Sequence, residues 1–396
     1  MKNTLTTILV FTLFMPLWAD IKYNAGVKIP AQKNTIYAKD FEKGRTHSEA
    51  IEKAMQVAKE DGQFTTVILD NHDWNIDRSV LIHSDLELVI DGCKIKMKDQ
   101  THDTLIRCEN LIVDKNNPFG PCKSAGYTKN FRIIGKNGGA LEGCDKPYKN
   151  LNHKGKLVPY YGDFFGWRGI TILITEGENY EIANLKISKT KNWGISQEWC
   201  THAYIHDLIY DVDVKNGDGI NFRNGCETSV VENICGKTGH DTVACTALGN
   251  PNTKIKRNPK YMYPNQALGR GFDRKFRGIK NILIRNIFTV GKHHAVICLA
   301  TTPIVENIEI ENVCEPTQSQ RASLVKIYTG YGDGYKKGNL RNIKVKNILS
   351  QGAKIAFELK ADVENVQVEG VRQLNPNGKL TNFDKIPAGL TFKENL

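Results

Sequence analysis

Two short turns of this sequence carry aspartates that could act together as an acid and a base. They are "NGDG" at Asn216 to Gly219 and "GHD" at Gly239 to Asp241. Cleavage of a glycosidic bond needs one carboxylic acid to protonate the leaving oxygen and one carboxylate to activate water or attack carbon. Asp241 as general acid and Asp218 as base would meet that need. Aspartates are also common in purely structural turns, so the pair needs elements that bring it together.

A short strand phrase recurs along the chain and could supply those elements. It alternates Ile or Val with other residues and closes on Asn or Gly, as in "NILIRNIFTV" from Asn281 and "VENIEIENVC" from Val305. Further copies begin at Asn130, Asn179, Ala203, Thr228, Leu340 and Val363. A two-residue alternation repeated every roughly 20 to 35 residues predicts a solenoid of strands, not of helices. The predicted fold class is all-β, a single-stranded right-handed parallel β-helix, with residues 20–396 as one domain.

One helix is predicted ahead of the repeats, from Thr46 to Gly62, with Ser48 as its N-cap and Gly62 as its stop. Its apolar stripe consists of Ile51, Ala54, Met55 and Ala58. An uncovered solenoid end exposes strand edges and core. We therefore predict an N-terminal cap over about residues 38–75.

The β-helix would bring distant residues together, because equivalent positions of successive coils lie about 4.8 Å apart. The outward positions that we align are Trp193, Asp218, Asp241, His294, and then Lys326 with Tyr328. An aromatic ring, two carboxylates, an imidazole and a cation would form a sugar cleft. His240, the neighbour of Asp241, could raise or relay the protonation of that carboxyl group. No step of this chemistry needs a metal or a cofactor, and we predict neither.

The order of these motifs resembles glycoside hydrolase family 28, the polygalacturonases, within the pectin-lyase-like β-helix superfamily. That family carries Asn-Thr-Asp, Gly-Asp-Asp, Gly-His-Gly and Arg-Ile-Lys in succession. The resemblance implies that Asp218 matches the first aspartate and that Asp241 matches the general acid. It also implies that His294 matches the family histidine, and that Trp193 matches a tryptophan one coil earlier.

Three residues depart from the family pattern, and they affect both the expected substrate and the expected acid/base groups. His240 stands where the family has a further aspartate, and Lys326 and Tyr328 replace its arginine and lysine. A lysine cannot make the bidentate contact with a carboxylate that arginine makes. We therefore expect an acidic glycan, uronate-containing or sulfated, and regard plain galacturonan as a doubtful substrate.

A basic segment, residues 249–277, separates Asp241 from His294. It contains eight Lys or Arg and one acid, Asp273. A long loop that leaves the scaffold just after Asp241 should overhang the cleft. We expect Arg270 and Arg274 from this loop, together with Arg223, to bind anionic groups of the substrate.

The N-terminal sequence and the composition predict an exported protein. Lys2, the apolar run from Leu5 to Trp18 and the small Ala19 are typical of a signal peptide over residues 1–19. No other segment is long and apolar enough to span a membrane. The net charge of +11 favours a polyanionic partner. We predict a secreted or periplasmic monomer.

The ten cysteines are even in number and show no CxxC pair. It stays open whether one or two disulfides form, chiefly among the cysteines of the irregular stretch around Cys108, Cys122 and Cys144, and for the rest we expect buried free thiols.

Other functions stay open at this level. A β-eliminating polysaccharide lyase would use Lys326, His294 or Arg223 on the same fold, and a non-catalytic glycan-binding β-helix would need no acid at all. Nucleic acid is not expected as a partner, because the basic residues are concentrated in one loop and no recognition motif is present.

Overall fold

The computed structural model describes residues 24–101, 103–113, 122–146, 150–151, 157–158, 169–249, 278–330 and 334–393. The predicted signal peptide lies outside these ranges, as do Arg270, Arg274 and all of the basic segment after Gly249. These remain predictions from sequence.

The predicted N-terminal helix is present as α1, from His47 to Asp61, and it follows a 3-10 helix over Ala38–Phe41. Its N-cap is Thr46, not Ser48: the Thr46 hydroxyl accepts from the Glu49 backbone N–H, and Glu49 accepts in return from the Thr46 N–H. Ser48 instead donates from its hydroxyl to Asp77. The expected stripe of apolar residues is buried, so the helix closes the N-terminal end of the solenoid.

The strands of the described chain follow one another in short segments. In the first half they are β1 (Asn34–Tyr37), β2 (Thr65–Leu69), β3 (Trp74–Ile76), β4 (Val80–Ile82), β5 (Leu86–Asp91), β6 (Lys94–Met97), β7 (Ile106–Cys108), β8 (Leu111–Ile112), β9 (Lys123–Ser124), β10 (Thr128–Lys136), β11 (Ala140–Glu142), β12 (Asn150–Leu151), β13 (Leu157–Val158), β14 (Ile172–Thr175), β15 (Gly177–Ala183) and β16 (Lys186–Ser188). In the second half they are β17 (Ile195–Glu198), β18 (Thr201–Asp211), β19 (Ile220–Phe222), β20 (Glu227–Thr238), β21 (Val243–Ala247), β22 (Ile279–Gly291), β23 (Val296–Ala300), β24 (Val305–Cys314), β25 (Val325–Tyr328), β26 (Leu340–Ser350), β27 (Ile355–Lys360), β28 (Glu364–Gln373), β29 (Lys379–Thr381) and β30 (Leu390–Lys393).

Two long parallel sheets run along the axis of the solenoid. One follows the path β1-β2-β5-β10-β15-β18-β20-β22-β24-β26-β28-β30, and the other is β4-β7-β14-β17-β19-β21-β23-β25-β27-β29. The short strands β3, β6, β11 and β16 form a branch of the first sheet that ends on β18. Consecutive coils pair in parallel, whereas β8–β9 and β12–β13 are antiparallel side pairs. The predicted all-β parallel β-helix with a capping helix is confirmed.

Asparagine makes the corners of the coils, as the recurring phrase predicts. Asn281, Asn307, Asn342 and Asn365 all have positive φ between 50° and 58°, a conformation that Asn tolerates better than most residues. Their side-chain amides also hydrogen-bond from coil to coil at 2.8–3.1 Å. The same residue therefore turns the chain and ties neighbouring coils together.

The inward positions of the strands stack into one continuous apolar core of Ile, Val, Leu and Phe. All ten cysteines are free thiols, and eight of them are buried. The open question of disulfides is thus answered in favour of buried thiols. No helix in the described ranges is long and apolar enough to cross a membrane.

Candidate active site

The second long sheet brings the predicted residues into one row. Ile195, Ile220, Val243 and Val296 are paired in register from coil to coil. The residues two positions earlier, Trp193, Asp218, Asp241 and His294, therefore also lie in register. The backbone confirms the row, because Gly194 N–H donates to Asp218 O and Gly219 N–H to Asp241 O, both at 2.8 Å.

Lys326 and Tyr328 do not continue this row. Val325 pairs with Val296, so Ser323 occupies the row after His294. Lys326 and Tyr328 lie three and five positions further along the coil, inside or at the end of β25. The two residues therefore flank the row at one side rather than extending it.

His240 bridges the two aspartates. Its Nδ1 lies 2.7 Å from Asp218 Oδ1 and 3.2 Å from Asp241 Oδ2. Because both oxygens contact one nitrogen, the two carboxylates are held close together across neighbouring coils. Asp218 and Asp241 are almost fully buried, whereas about a third of the His240 side chain is exposed. The imidazole lies between the carboxylates and solvent.

A second histidine, His293, contacts Asp241 directly. Its Nδ1 is 2.7 Å from Asp241 Oδ1, and its ring stacks on that of His240 with centroids 3.9 Å apart. His293 occupies the position equivalent to His240 on the next coil. Sequence analysis predicted His294 as the histidine of the site. The one sequence feature that pointed to His293 was its place beside His294 in "KHHAV".

His294 lies in the predicted row but is fully buried. Its Nδ1 is 2.8 Å from the Ser323 hydroxyl, which in turn donates to Glu358 at 2.8 Å. Burial lowers the pKa of His294 to about 4. The charges of His293 and Lys326 also lower this pKa, whereas the charge of Asp241 opposes them. His294 is therefore a neutral ring behind the reacting groups.

The two aspartates have pKa shifts of opposite sign. Burial raises the pKa of Asp218, and His240 opposes this only in part. Burial also acts to raise the pKa of Asp241, but His240 and then the hydrogen bond from His293 hold it well below its usual value. Burial acts to lower the pKa of His240, yet the two carboxylates raise it to about 11. Asp241 receives two imidazole contacts and Asp218 one, which fits the opposite directions of their pKa shifts.

The predicted cation Lys326 is already paired. Its Nζ lies 3.4 Å from Glu358 Oε2 and 4.5 Å from the centroid of the Tyr328 ring. Glu358 also binds Lys360 at 2.5 Å. Burial acts to raise the pKa of Glu358, but Lys360, Ser323 and Lys326 outweigh it and lower that pKa.

Trp193 and Arg223 form a buried unit beside Asp218. Trp193 packs in a satellite cluster with Leu173 and Trp199, and only 8% of it is exposed. The Arg223 guanidinium lies over its ring at 5.4 Å from the centroid. Sequence analysis expected Trp193 to offer an open platform for a sugar. In the structure its ring packs against the Arg223 guanidinium instead.

A buried arginine supports the turn that carries Asp241. Arg321 Nη2 donates to the hydroxyls of Thr242 and Thr289, each at 3.0 Å. Its Nε lies 3.7 Å from Glu315, which accepts hydrogen bonds from three backbone N–H groups between residues 351 and 353. These contacts lock three successive coils just beside the aspartate row.

Two groups of residues in the described chain have ligand types suited to a metal ion: His240, Asp241 and His293, and separately Glu42, His47 and His72. An ion must lie in the plane of an imidazole that binds it, and the nearly parallel stacked rings of His240 and His293 cannot both point their Nδ1 at one ion. In the second group, His47 Nδ1 accepts from the Asn75 N–H, so its Nε2 carries the proton of the neutral ring and cannot coordinate. Neither arrangement suits a resident metal.

Comparisons with known proteins agree with the fold. No protein-family model matches the chain, and no curated protein matches it in sequence. Among solved structures, an exopolygalacturonase from Thermotoga maritima aligns over 99% of this chain and 95% of its own, with a TM-score of 0.57 and 13% identity. A polygalacturonase from Erwinia carotovora ssp. carotovora aligns over 95% of this chain and 100% of its own, with a TM-score of 0.52 and 12% identity.

A further match is a tailspike protein of E. coli bacteriophage HK620, in complex with a pentasaccharide. It covers 91% of this chain and 67% of its own, with a TM-score of 0.50 and 10% identity. At these identities the matches show a shared β-helix fold. The resemblance to polygalacturonases drawn from the sequence is thus confirmed at the level of the fold.

Proposed function

We propose that this protein is a glycoside hydrolase that cleaves an acidic polysaccharide, with Asp218, His240, Asp241 and His293 as its acid/base centre. The observation that carries the proposal is the pair of carboxylates bridged by one imidazole on neighbouring coils. A site whose environment pushes two pKa values apart supplies both an acid and a base.

The pKa shifts support an exchange of the roles expected from sequence. Asp218, with its raised pKa, is the group able to hold a proton, and Asp241, with its lowered pKa, is the carboxylate. Asp218 would then give its proton to the leaving glycosidic oxygen, while Asp241 takes a proton from the water whose oxygen bonds to the anomeric carbon. His240 and His293 orient Asp241 and stabilise its charge.

The net charge of the protein supports an acidic substrate. The chain carries an excess of 11 positive charges, whereas the two cations near the row, Arg223 and Lys326, each lie beside a glutamate. A positively charged protein attracts a polyanion over a neutral glycan. The polygalacturonase fold is consistent with such a substrate.

The test is a screen for new reducing ends on galacturonan, rhamnogalacturonan, sulfated galactans and their neutral counterparts. Asp218→Asn and Asp241→Asn should each lower the rate by at least about a hundredfold, the usual scale for losing a general acid or base. Asp213→Asn is the matched control, because this exposed carboxylate binds only Lys237 and Lys292 among the described contacts.

Equal activity of wild type and both variants on every substrate would rule out the proposed centre. Unsaturated products that absorb in the ultraviolet would instead indicate a lyase. Glycan binding without cleavage, unchanged by Asp241→Asn, would indicate a binding protein.

A further inference from the structure

One corner of the β-helix carries a row of side chains that follow one another from coil to coil. The residues just before them pair in register along the first long sheet. This first corner row consists of Asn130, Asn179, His202, Thr228, Asn281, Asn307, Asn342 and Asn365. Every one of these residues has positive φ, so the row marks one continuous edge of the solenoid.

Asn179 uses its place in this row to bind an extended segment of the chain itself. Lys28 N–H donates to Asn179 Oδ1, and Asn179 Nδ2 donates to Lys28 O, both at 2.8 Å. Nδ2 also donates to Asn130 Oδ1 on the preceding coil, at 2.7 Å. One corner amide therefore keeps its contact within the row and still pairs with both backbone groups of a peptide residue.

The segment bound by Asn179, residues 24–30, follows the row only part of the way. It packs on Tyr204 and Val230, which belong to the next two coils. Val27 N–H donates to Asn24 O at 3.0 Å, so the chain turns back at that point. The part of the row that lies on β22 to β28 continues beyond this turn.

A groove of about 600 Å³ follows that remaining part of the row. Ala25 lines one end of it, and Asn281, Asn307, Asn342 and Asn365 line its length. Three coil steps separate Asn281 from Asn365, and they span about 14 Å, as do four residues of an extended strand. The groove thus continues the track of the bound segment and has room for a short strand.

The amides of Asn307 and Asn342 still have free hydrogen-bonding positions. Among the described residues, each donates to the amide before it and accepts from the amide after it, at 2.8–3.1 Å. An asparagine has two hydrogens on Nδ2 and two lone pairs on Oδ1. One donor and one acceptor per amide are left for a ligand, and these are the groups with which Asn179 binds Lys28.

The charges that line the groove balance one another. Two are cationic, Arg285 and Lys344, and two are acidic, Glu309 and Glu311. Lys344 lies 3.4 Å from Glu309, and Arg285 binds Glu232 at 2.6 Å. A polyanion gains little from such a surface. An uncharged peptide backbone, which offers donors and acceptors in alternation, suits it better.

We propose that this groove binds an extended peptide strand of another protein, held through its backbone by the corner amides as Asn179 holds Lys28. The strand runs along the solenoid axis and needs about five residues to pass from Asn281 to Asn365. Because the contacts are made to backbone groups, they leave its sequence largely free, except that proline lacks the N–H.

This site is separate from the aspartate row and goes beyond the proposed hydrolase. On β22, a second corner at Asn286 separates Asn281 from the histidines that follow the strand. Peptide binding is therefore measured without any glycan, and its outcome is independent of cleavage.

The test selects heptapeptides from a random display library on immobilised wild-type protein and measures their affinity by fluorescence anisotropy. Asn307→Gly/Asn342→Gly removes two amides from the groove and keeps the corners, because glycine adopts positive φ readily. We expect the selected peptides to bind this variant at least about tenfold more weakly than wild type.

The matched control is Asn312→Gly/Asn347→Gly. These two asparagines lie on the same strands, β24 and β26, have positive φ and form the same kind of amide ladder at 3.0 Å. They belong to the second corner and do not line the groove. The control should bind the peptides like wild type, and thermal unfolding should show a similar loss of stability in both double variants.

Failure to select any peptide would overturn the proposal, as would an equal loss of affinity in the two double variants. Binding of oligosaccharides in place of peptides, dependent on Asn307 and Asn342, would overturn the peptide assignment. A concentration-dependent dimer that is lost in Asn307→Gly/Asn342→Gly would also overturn it, because the occupant would then be a second copy of this chain.

Discussion

His240 Nδ1 lies within 3.2 Å of carboxylate oxygens of both Asp218 and Asp241, which belong to successive coils of the solenoid. One imidazole thus occupies the place where two buried carboxylates would otherwise face each other. Two like charges this close cannot both persist without a cation between them. The histidine therefore allows the pair to exist and divides the proton unequally between its members.

The bridge can be tested by replacing His240 with glutamine, which keeps a hydrogen-bond donor but removes the positive charge. Without that charge, Asp241 should hold a proton more readily, so the activity at neutral pH should fall by about a hundredfold. The acid limb of the pH–rate profile should move to higher pH. The measurement is kcat/KM against pH on the best substrate from the screen. An unchanged acid limb would show that His240 does not control Asp241.

The raised pKa of His240 also predicts a pH dependence of stability. The pKa is about 11 in the folded protein and about 6.5 in the unfolded chain. A group with a raised pKa stabilises fully below its unfolded value and loses that contribution as pH rises through its folded value. The wild-type Tm should therefore fall between about pH 7 and pH 10. The free energy involved is on the order of a few kcal/mol.

His240→Gln is the comparison for this effect, since all other titrating groups remain. Its Tm should fall less steeply over the same pH range. Parallel Tm curves for the two proteins would contradict a shifted pKa at His240.

The two adjacent histidines should respond differently to removal. His293 contacts Asp241 and is about a third exposed, so His293→Ala should lower kcat by about ten- to a hundredfold with little change in stability. His294 is fully buried against Ser323, so His294→Ala should cost about 2–4 kcal/mol of the free energy of unfolding. Urea unfolding and steady-state kinetics on both variants separate the effects. The reverse pattern would restore His294 as the histidine of the site.

Arg321 should be essential to stability. Arg321→Met leaves Glu315 buried without its charge partner and frees two threonine hydroxyls, at an expected cost of about 3–5 kcal/mol. The matched control is Arg341→Met, which breaks a more exposed pair with Glu306 and should cost about 1 kcal/mol or less. Both values come from urea unfolding. Equal costs would mean that the turn beside Asp241 does not depend on Arg321.

The fold could be read from the sequence because its determinants are local and repeated. Ile and Val alternate with polar residues in every strand phrase, which decides the inward face, and Asn at each corner tolerates positive φ. The same periodicity placed Trp193, Asp218, Asp241 and His294 at equivalent positions. The row in the structure agrees with that alignment because residues at the same distance from paired strand positions are themselves in register.

The contacts within the row could not be read in this way. Whether His293 or His294 meets Asp241 depends on how the chain bends before β23, outside the two-residue alternation. The bridge by His240 depends on two coils lying side by side, and the burial of Trp193 depends on residues such as Leu173 from an earlier coil.

The sequence by itself therefore determined the β-helix, its cap and the row of candidate residues, since these follow from local alternation and repeat spacing. Only the tertiary structure decided which imidazole meets which carboxylate, in which direction the pKa of each aspartate shifts, and that Trp193 is buried against Arg223. Those properties arise from burial and from contacts between coils, which no short stretch of the chain contains.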